Sequence, residues 1–245
     1  MSKKIIIANW KMNPSTEKEA VRIAKASDFK DVIIAAPYVF IPAIKKVLKK
    51  ASLAAQDVSW EKGGAYTGEI SAPMLKNLGV KYVIIGHSER RNLTAGGDND
   101  EIVNKKIKAV LKFNLIPVLC VGERERDEEM KYLSFIKDQL MIDLRGVQGN
   151  MLKKIIIAYE PVWAIGKKAL REATPGESLE MVIFIKKVLS DIYGVKAVNS
   201  LRILYGGSVH PKNAKEFSMG GGVNGFLVGR DSLDLKKFNE IIKAN

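Results

Sequence analysis

Cysteine, histidine and long apolar runs are all scarce in this chain, and each scarcity removes a class of function. The single cysteine, Cys120, allows no internal disulfide. It lies in the apolar run Leu115–Val121, where it reads as a small buried hydrophobe in a reducing compartment. Two histidines, His87 and His210, with that one cysteine and no paired ligand spacing, do not build a zinc site, so no metal is expected. No apolar run approaches the roughly 18 residues of a membrane span, and the first residues lack basic, apolar and cleavage regions in series. The expectation is a soluble cytoplasmic protein with no membrane partner. No Asn-Gly pair joins two strand-like runs, so no antiparallel hairpin is signalled, and no low-complexity linker divides the chain.

Negative charge is also in short supply: the net charge is +13 over 245 residues. A basic chain reads either as a nucleic-acid footprint or as a solvated surface that draws in small anions. The lysines fall in helix-face pairs such as Lys45-Lys46, Lys105-Lys106 and Lys236-Lys237, without interleaved aromatics to stack bases. That arrangement favours small anions, and no nucleic-acid partner is expected.

What the chain has in plenty is short β-branched runs. They occur at Lys4–Asn9, Val32–Ala36, Leu53–Gln56, Tyr82–Gly86, Pro117–Val121, Lys153–Tyr159, Leu201–Tyr205 and Gly225–Val228, and helical patterns separate them. Uncharged β-branched runs read as strands buried on both faces, and the alternation calls for parallel strands joined by right-handed crossovers. Eight units in this length suit an α/β fold of the closed (β/α)8 type, a single barrel domain over residues 1–245. One helix is expected from about Asp98 to Phe113. Another is expected from Arg124 to about Leu144, with Asp127, Glu128 and Glu129 complementing the dipole of its first turns.

In such a barrel the chemistry gathers at the strand tips of one face. The run ending Ala158-Tyr159-Glu160-Pro161 delivers a carboxylate at its tip. The next helix signal is Thr174-Pro175-Gly176-Glu177, a capping box with proline in the first helical position. Pro161 to Ala173 is thus a structureless connection, of the roughly 12–15 residues at which a loop is usually a lid or binding loop. A carboxylate beneath a long loop is a candidate general base, Glu160. The other tips carry Asn9 and Lys11, then His87-Ser88-Glu89, Gly206-Gly207-Ser208 and Gly229-Arg230. A short helical turn after His87 would disfavour imidazolium and keep the ring a neutral proton donor. His210, before Pro211, reads as an exposed cap. Two glycine turns that each open a helix let main-chain N–H groups reach an anion. Neutral imidazole, carboxylate, ammonium and phosphate cradle suit proton abstraction next to a carbonyl, with stabilisation of the enediolate.

The residues then match a known family. Through Ala8-Asn9-Trp10-Lys11-Met12-Asn13, Gly64–Glu69, Gly86-His87-Ser88-Glu89-Arg90-Arg91, Ala158–Gly166, Tyr205–Val209 and Gly225–Gly229, the chain resembles the triosephosphate isomerases over essentially its whole length. The resemblance implies interconversion of dihydroxyacetone phosphate and D-glyceraldehyde 3-phosphate without a cofactor. Glu160 would move the proton, His87 would polarise the carbonyl, and Lys11, aided by Asn9 and paired with Glu89, would stabilise negative charge. Main-chain N–H groups of Gly166, Ser208, Gly229 and Arg230 would hold the phosphate. A homodimer is implied as well, with Gln56, Tyr66 and Thr67 at its interface.

Three segments depart from the family pattern. The lid has Lys167–Ala173 in place of a shorter threonine-, glycine- and lysine-bearing tip, and Lys168–Ala173 are good helix formers. Asn92–Asp98 is longer than usual and lacks a phenylalanine and a glutamate, for which Asp98 is a substitute. Arg230 stands where a second glycine is usual. The altered lid leaves a second reading open, a phosphate-binding barrel with impaired turnover.

Overall fold

The computed structural model describes residues 4–93, 96–166 and 169–245. Its centre is a closed barrel of eight parallel strands in chain order. They are β1 (Ile5–Asn9), β2 (Val32–Ala35), β3 (Ser52–Ala55), β4 (Tyr82–Ile85), β5 (Ile116–Val121), β6 (Ile156–Tyr159), β7 (Arg202–Tyr205) and β8 (Gly225–Val228). Ile6 pairs with Val32 on one side and with Phe226 on the other, which closes the ring. Each strand falls within a residue or three of its expected run.

A run that looks uniform in sequence is divided by the pleat. Ile5, Ile7, Ile33, Ala35, Val118, Cys120, Ile156 and Ala158 point into the barrel and form one cluster. Ile6, Ala8, Val32, Ile34, Leu119 and Ile157 point outward and form the larger cluster beneath the helices. Successive residues of a strand face opposite ways, so both faces must be apolar when helices cover the outside.

Helix starts follow their caps. The Thr16 hydroxyl accepts from Glu19 N–H ahead of Glu17–Ala26, although Glu19 turns to Arg22 and does not complete the box. Thr174 and Glu177 form the complete capping box of Pro175–Tyr193. Arg171, first, and the cap hold the Glu177 carboxyl down to about 2. Its folded value is depressed, so its stabilisation is present above the ordinary 4.5 and is lost as pH falls toward about 2.

Two expected helices begin later than predicted. The helix after β4 is Asp100–Lys112, because Asn99 takes the cap by accepting from Ile102 N–H at 2.9 Å while Asp98 is drawn to Lys106. The helix expected from Arg124 is Lys131–Asp143, with no acidic residue in its first turn. Asp127 instead accepts from Lys131 N–H at 3.0 Å, and Met130 caps with φ at 55°. Arg126, in the stretch that stays out of the helix, is claimed by partners remote in the chain, the Glu180 carboxylate at 2.8 Å and the Tyr159 hydroxyl at 3.4 Å. Such contacts outweigh propensity differences of a few tenths of a kcal/mol per residue.

The lid segment is also more ordered than expected. Val162–Ala164 form a turn of 3-10 helix, Leu170 N–H donates to Trp163 O at 2.9 Å, and Arg171 lies 4.5 Å over the Trp163 ring. Ala169–Ala173 are not helical. Lys167 and Lys168, part of the same expectation, and Thr94 and Ala95 of the other lengthened loop lie outside the described residues.

Candidate active site

Because all eight strands run the same way, their C-terminal tips share one face. A cavity of about 560 Å³ opens there, lined by Asn9, Lys11, His87, Glu89, Glu160, Gly166, Gly206 to Ser208, Gly229 and Arg230 among others. Every catalytic and substrate-binding residue expected from sequence borders this one space.

Glu160 sits where β6 ends. Its N–H donates to Val121 O at 2.8 Å, so the strand ladder still holds its main chain. Two glycines let it fit: a Cβ on Gly122 would stand 1.7 Å from Glu160 O, and one on Gly206 would stand 2.9 Å from Glu160 Cγ. The carboxyl is 2% exposed. Oε2 accepts from Ser88 N–H at 3.0 Å, while Oε1 has no hydrogen bond among the described residues and lies 3.3 Å from His87 Nε2. One carboxylate oxygen is therefore anchored, and the other is buried beside the His87 ring. Cys120, one pleat below in the barrel interior, has its thiol pushed well up, first by burial and then by Glu160. It is a packed hydrophobe, as its sequence context indicated.

His87 follows β4 and caps the short helix Ser88–Arg91. Its Nδ1 accepts from Glu89 N–H at 3.2 Å. A main-chain N–H can only donate, so Nδ1 carries no proton, and the neutral ring holds its proton on Nε2. Nε2 is the nitrogen that faces Glu160 and the cavity. Gly86 leaves room for Arg91 beneath this turn: its φ is +70°, and a Cβ there would meet Arg91 Nη2 at 2.7 Å. Arg91 is buried by the same turn, with Nε donating to Gly86 O at 2.7 Å and Nη2 to Asp143 at 2.8 Å.

Lys11 comes from the loop after β1 with φ at 53°, a left-handed conformation uncommon for a side-chain-bearing residue. Its N–H donates to Asn9 Oδ1 at 3.1 Å, and Gln56 Nε2 donates to Lys11 O at 2.8 Å. These bonds hold the strained turn. Lys11 Nζ reaches Glu89 Oε1 at 2.7 Å, as the pairing expected. Gln56 thus braces this loop from within, and it also lines a neighbouring groove with Met12, Arg90 and Leu93.

The glycine turns after β7 and β8 form the opposite wall. Ser208 Oγ donates to Ala164 O at 2.7 Å, which ties the β7 turn to the base of the lid. Gly229 has φ −86° and ψ −114°, and Arg230 opens the short turn Arg230–Ser232 without a positive φ. The substitution of glycine by arginine therefore carries no backbone penalty of the left-handed kind. His210 is partly exposed, with its N–H donating to Asn213 Oδ1 at 3.0 Å and its ring Nε2 3.2 Å from Glu172. It caps its helix as expected and also touches the lid.

Sequence reasoning missed Glu123, just beyond the tip of β5. Its Oε1 accepts from Tyr159 OH at 2.8 Å, Trp163 Nε1 at 2.8 Å and Arg126 Nε at 3.2 Å. It anchors the first turn of the lid beside Glu160. A carboxylate directly after a buried apolar strand was the available signal, the same one that singled out Glu160.

With this geometry in hand, the chain's relatives carry meaning. The family model for triosephosphate isomerase matches residues 4–245. The chain is 42% identical to the triosephosphate isomerase of Dictyoglomus thermophilum and 41% identical to that of Acetivibrio thermocellus, each over 100% of both chains. It is 40% identical to the triosephosphate isomerase of Aquifex aeolicus over 98% of both.

Proposed function

The chain belongs to the triosephosphate isomerase family, and on that premise we propose how its residues interconvert dihydroxyacetone phosphate and D-glyceraldehyde 3-phosphate. The reaction is a cofactor-independent aldose-ketose isomerisation, a step of glycolysis. Glu160 Oε1 takes the proton from the carbon next to the carbonyl, and the C–H electron pair becomes the C=C bond of an enediolate. His87 Nε2–H donates to the oxygen where charge develops, with Lys11 Nζ beside it. His87 then gives its Nε2 proton to that oxygen and takes one from the neighbouring hydroxyl, which moves the charge across the enediolate; return of the proton from Glu160 to the neighbouring carbon forms the new carbonyl and completes the exchange. The phosphate rests against main-chain N–H groups of Gly166, Ser208, Gly229 and Arg230, with Asn9 aiding Lys11. The lid from Pro161 to Ala173 keeps water from the intermediate.

One observation carries this reading. Glu160 Oε1 and His87 Nε2 stand 3.3 Å apart at the floor of one cavity, within reach of adjacent atoms of a three-carbon chain. The alternative of a barrel with impaired turnover finds no support. An assay coupled to glyceraldehyde 3-phosphate formation tests the activity. Turnover in the enzymatic range of roughly 1–10³ s⁻¹ is expected, and a folded protein without turnover would sink the assignment.

Residues 1–245 act as one barrel domain, in the cytoplasm, where a reducing environment suits the free, buried Cys120. Among the described residues no helix is long and apolar enough to cross a membrane. The working unit is a homodimer. Residues 62–69 stand exposed with Tyr66 and Thr67 at their centre, and a groove of about 300 Å³ beside the cavity, with Met12 94% exposed on its rim, suits this loop from a second copy. Sedimentation equilibrium should give twice the 27.1 kDa chain mass. A single-chain mass at micromolar concentration would refute the dimer and leave the isomerase assignment standing.

A further inference from the structure

The cavity holds a charged group that the steps above leave unused. Besides the neutral His87 ring, three residues whose side chains can carry positive charge line it among the described residues: Lys11, His210 and Arg230. Two are committed, Lys11 to Glu89 at 2.7 Å and His210 to Glu172 at 3.2 Å. The Arg230 guanidinium has no hydrogen-bond or ion-pair partner among the described residues, and the side chain is exposed. Its neighbour Asp231 turns to Lys237 Nζ at 3.4 Å instead. The turn that carries Arg230 is well held, since Ser232 Oγ and N–H donate to Gly229 O at 2.6 and 2.9 Å. That turn also lies close to the reacting end: a Cβ on Gly229 would stand 3.5 Å from Lys11 Cε.

An unpaired guanidinium on a rigid turn at an anion site matches the oxygens of a phosphate, which its planar fork engages in pairs. We infer that the Arg230 side chain is a second grip on the substrate's phosphate, added to the main-chain amides, and sets the preference for phosphorylated over unphosphorylated trioses. The inference rests on the phosphate placement proposed above. In this inference the contact is uniform, made alike to bound substrate and to transition state. Its loss therefore appears in KM and not in kcat.

The test compares R230M, R230G and R230K with the wild type. In R230M, KM for glyceraldehyde 3-phosphate should rise about tenfold, equivalent to about 1.4 kcal/mol, with kcat changing by less than about twofold. The inhibition constant of inorganic phosphate should rise in parallel. The ratio of kcat/KM on glyceraldehyde 3-phosphate to that on D-glyceraldehyde should fall about tenfold. R230K should recover part of the loss, and R230G, which restores the usual residue, should behave as R230M. An unchanged KM and phosphate inhibition constant in R230M would overturn the inference. So would an equal loss on both substrates, the mark of a merely structural role. Calorimetric titration of inorganic phosphate decides the matter even if the wild type proves not to isomerise: weaker binding by R230M upholds the grip, and equal binding removes it.

Discussion

Glu160→Gln should lower kcat by about 10²–10⁴-fold, the range attributed to a positioned general base, which at tenfold per 1.36 kcal/mol is about 3–5 kcal/mol of transition-state stabilisation. The amide has nearly the shape of the carboxylate, and its carbonyl oxygen can still accept from Ser88 N–H, which now donates to Oε2 at 3.0 Å. What is lost is basicity at the oxygen 3.3 Å from His87 Nε2. The fold should be intact and inorganic phosphate should bind with near wild-type affinity, since the glycine turns after β7 and β8 are untouched. A variant that keeps wild-type kcat would show that another group moves the proton. One that loses phosphate binding along with turnover would show that the substitution disturbed the cavity and left the base unassigned.

Lys106→Met should destabilise the fold strongly. Lys106 is 3% exposed, and its Nζ lies 2.7 Å from Asp57 Oδ1 and 2.8 Å from both oxygens of Asp98. Arg90 completes the cluster, 2.9 Å from Asp57 and 3.5 Å from Asp98. Burial pushes the Asp57 carboxyl up, opposed chiefly by Lys106. Removing the ammonium leaves two buried carboxylates sharing one half-exposed arginine. Breaking a buried pair from one side costs about 3–5 kcal/mol. At about 2–4 °C per kcal/mol for a chain of this size, the melting temperature should fall by roughly 6–20 °C. The sign with pH is distinctive: burial raises the Asp57 carboxyl, and in the variant its protonation relieves the repulsion, so the gap to the wild type should narrow as pH falls. Adding Asp98→Asn to Lys106→Met should recover part of the loss. A fall of less than about 2 °C would mean that the cluster contributes little. The effect should extend to activity, because the cluster ties the tip of β3 and the helix Asp100–Lys112 to the turn that carries His87.

The same cluster accounts for one departure of the chain from its family. Asp98, which the resemblance offered in place of a glutamate, supplies a buried carboxylate to Lys106 and Arg90. In doing so it gives up the helix start, which passes to Asn99. The sequence suggested the substitution but could not show that the helix would start two residues later. The helix expected from Arg124 failed for the same kind of reason. Its local preference was sound, but Glu123 and Arg126 are claimed by Tyr159, Trp163 and Glu180 from segments more than thirty residues away along the chain.

What the amino-acid sequence determined alone was the set of strands, their parallel order, and the residues placed at their tips. β-branched runs and capping residues act over a few neighbours, and the alternation of strand and helix leaves few ways to connect them. Tertiary structure decided the rest. Only the closed ring brings Glu160 after β6 against His87 after β4, aligns the glycine turns of β7 and β8 across from them, and leaves Arg230 without a partner among the described residues while Lys11 and His210 find theirs. Each of these depends on distances between residues remote in the chain, which local preference does not encode and the closing of the barrel sets.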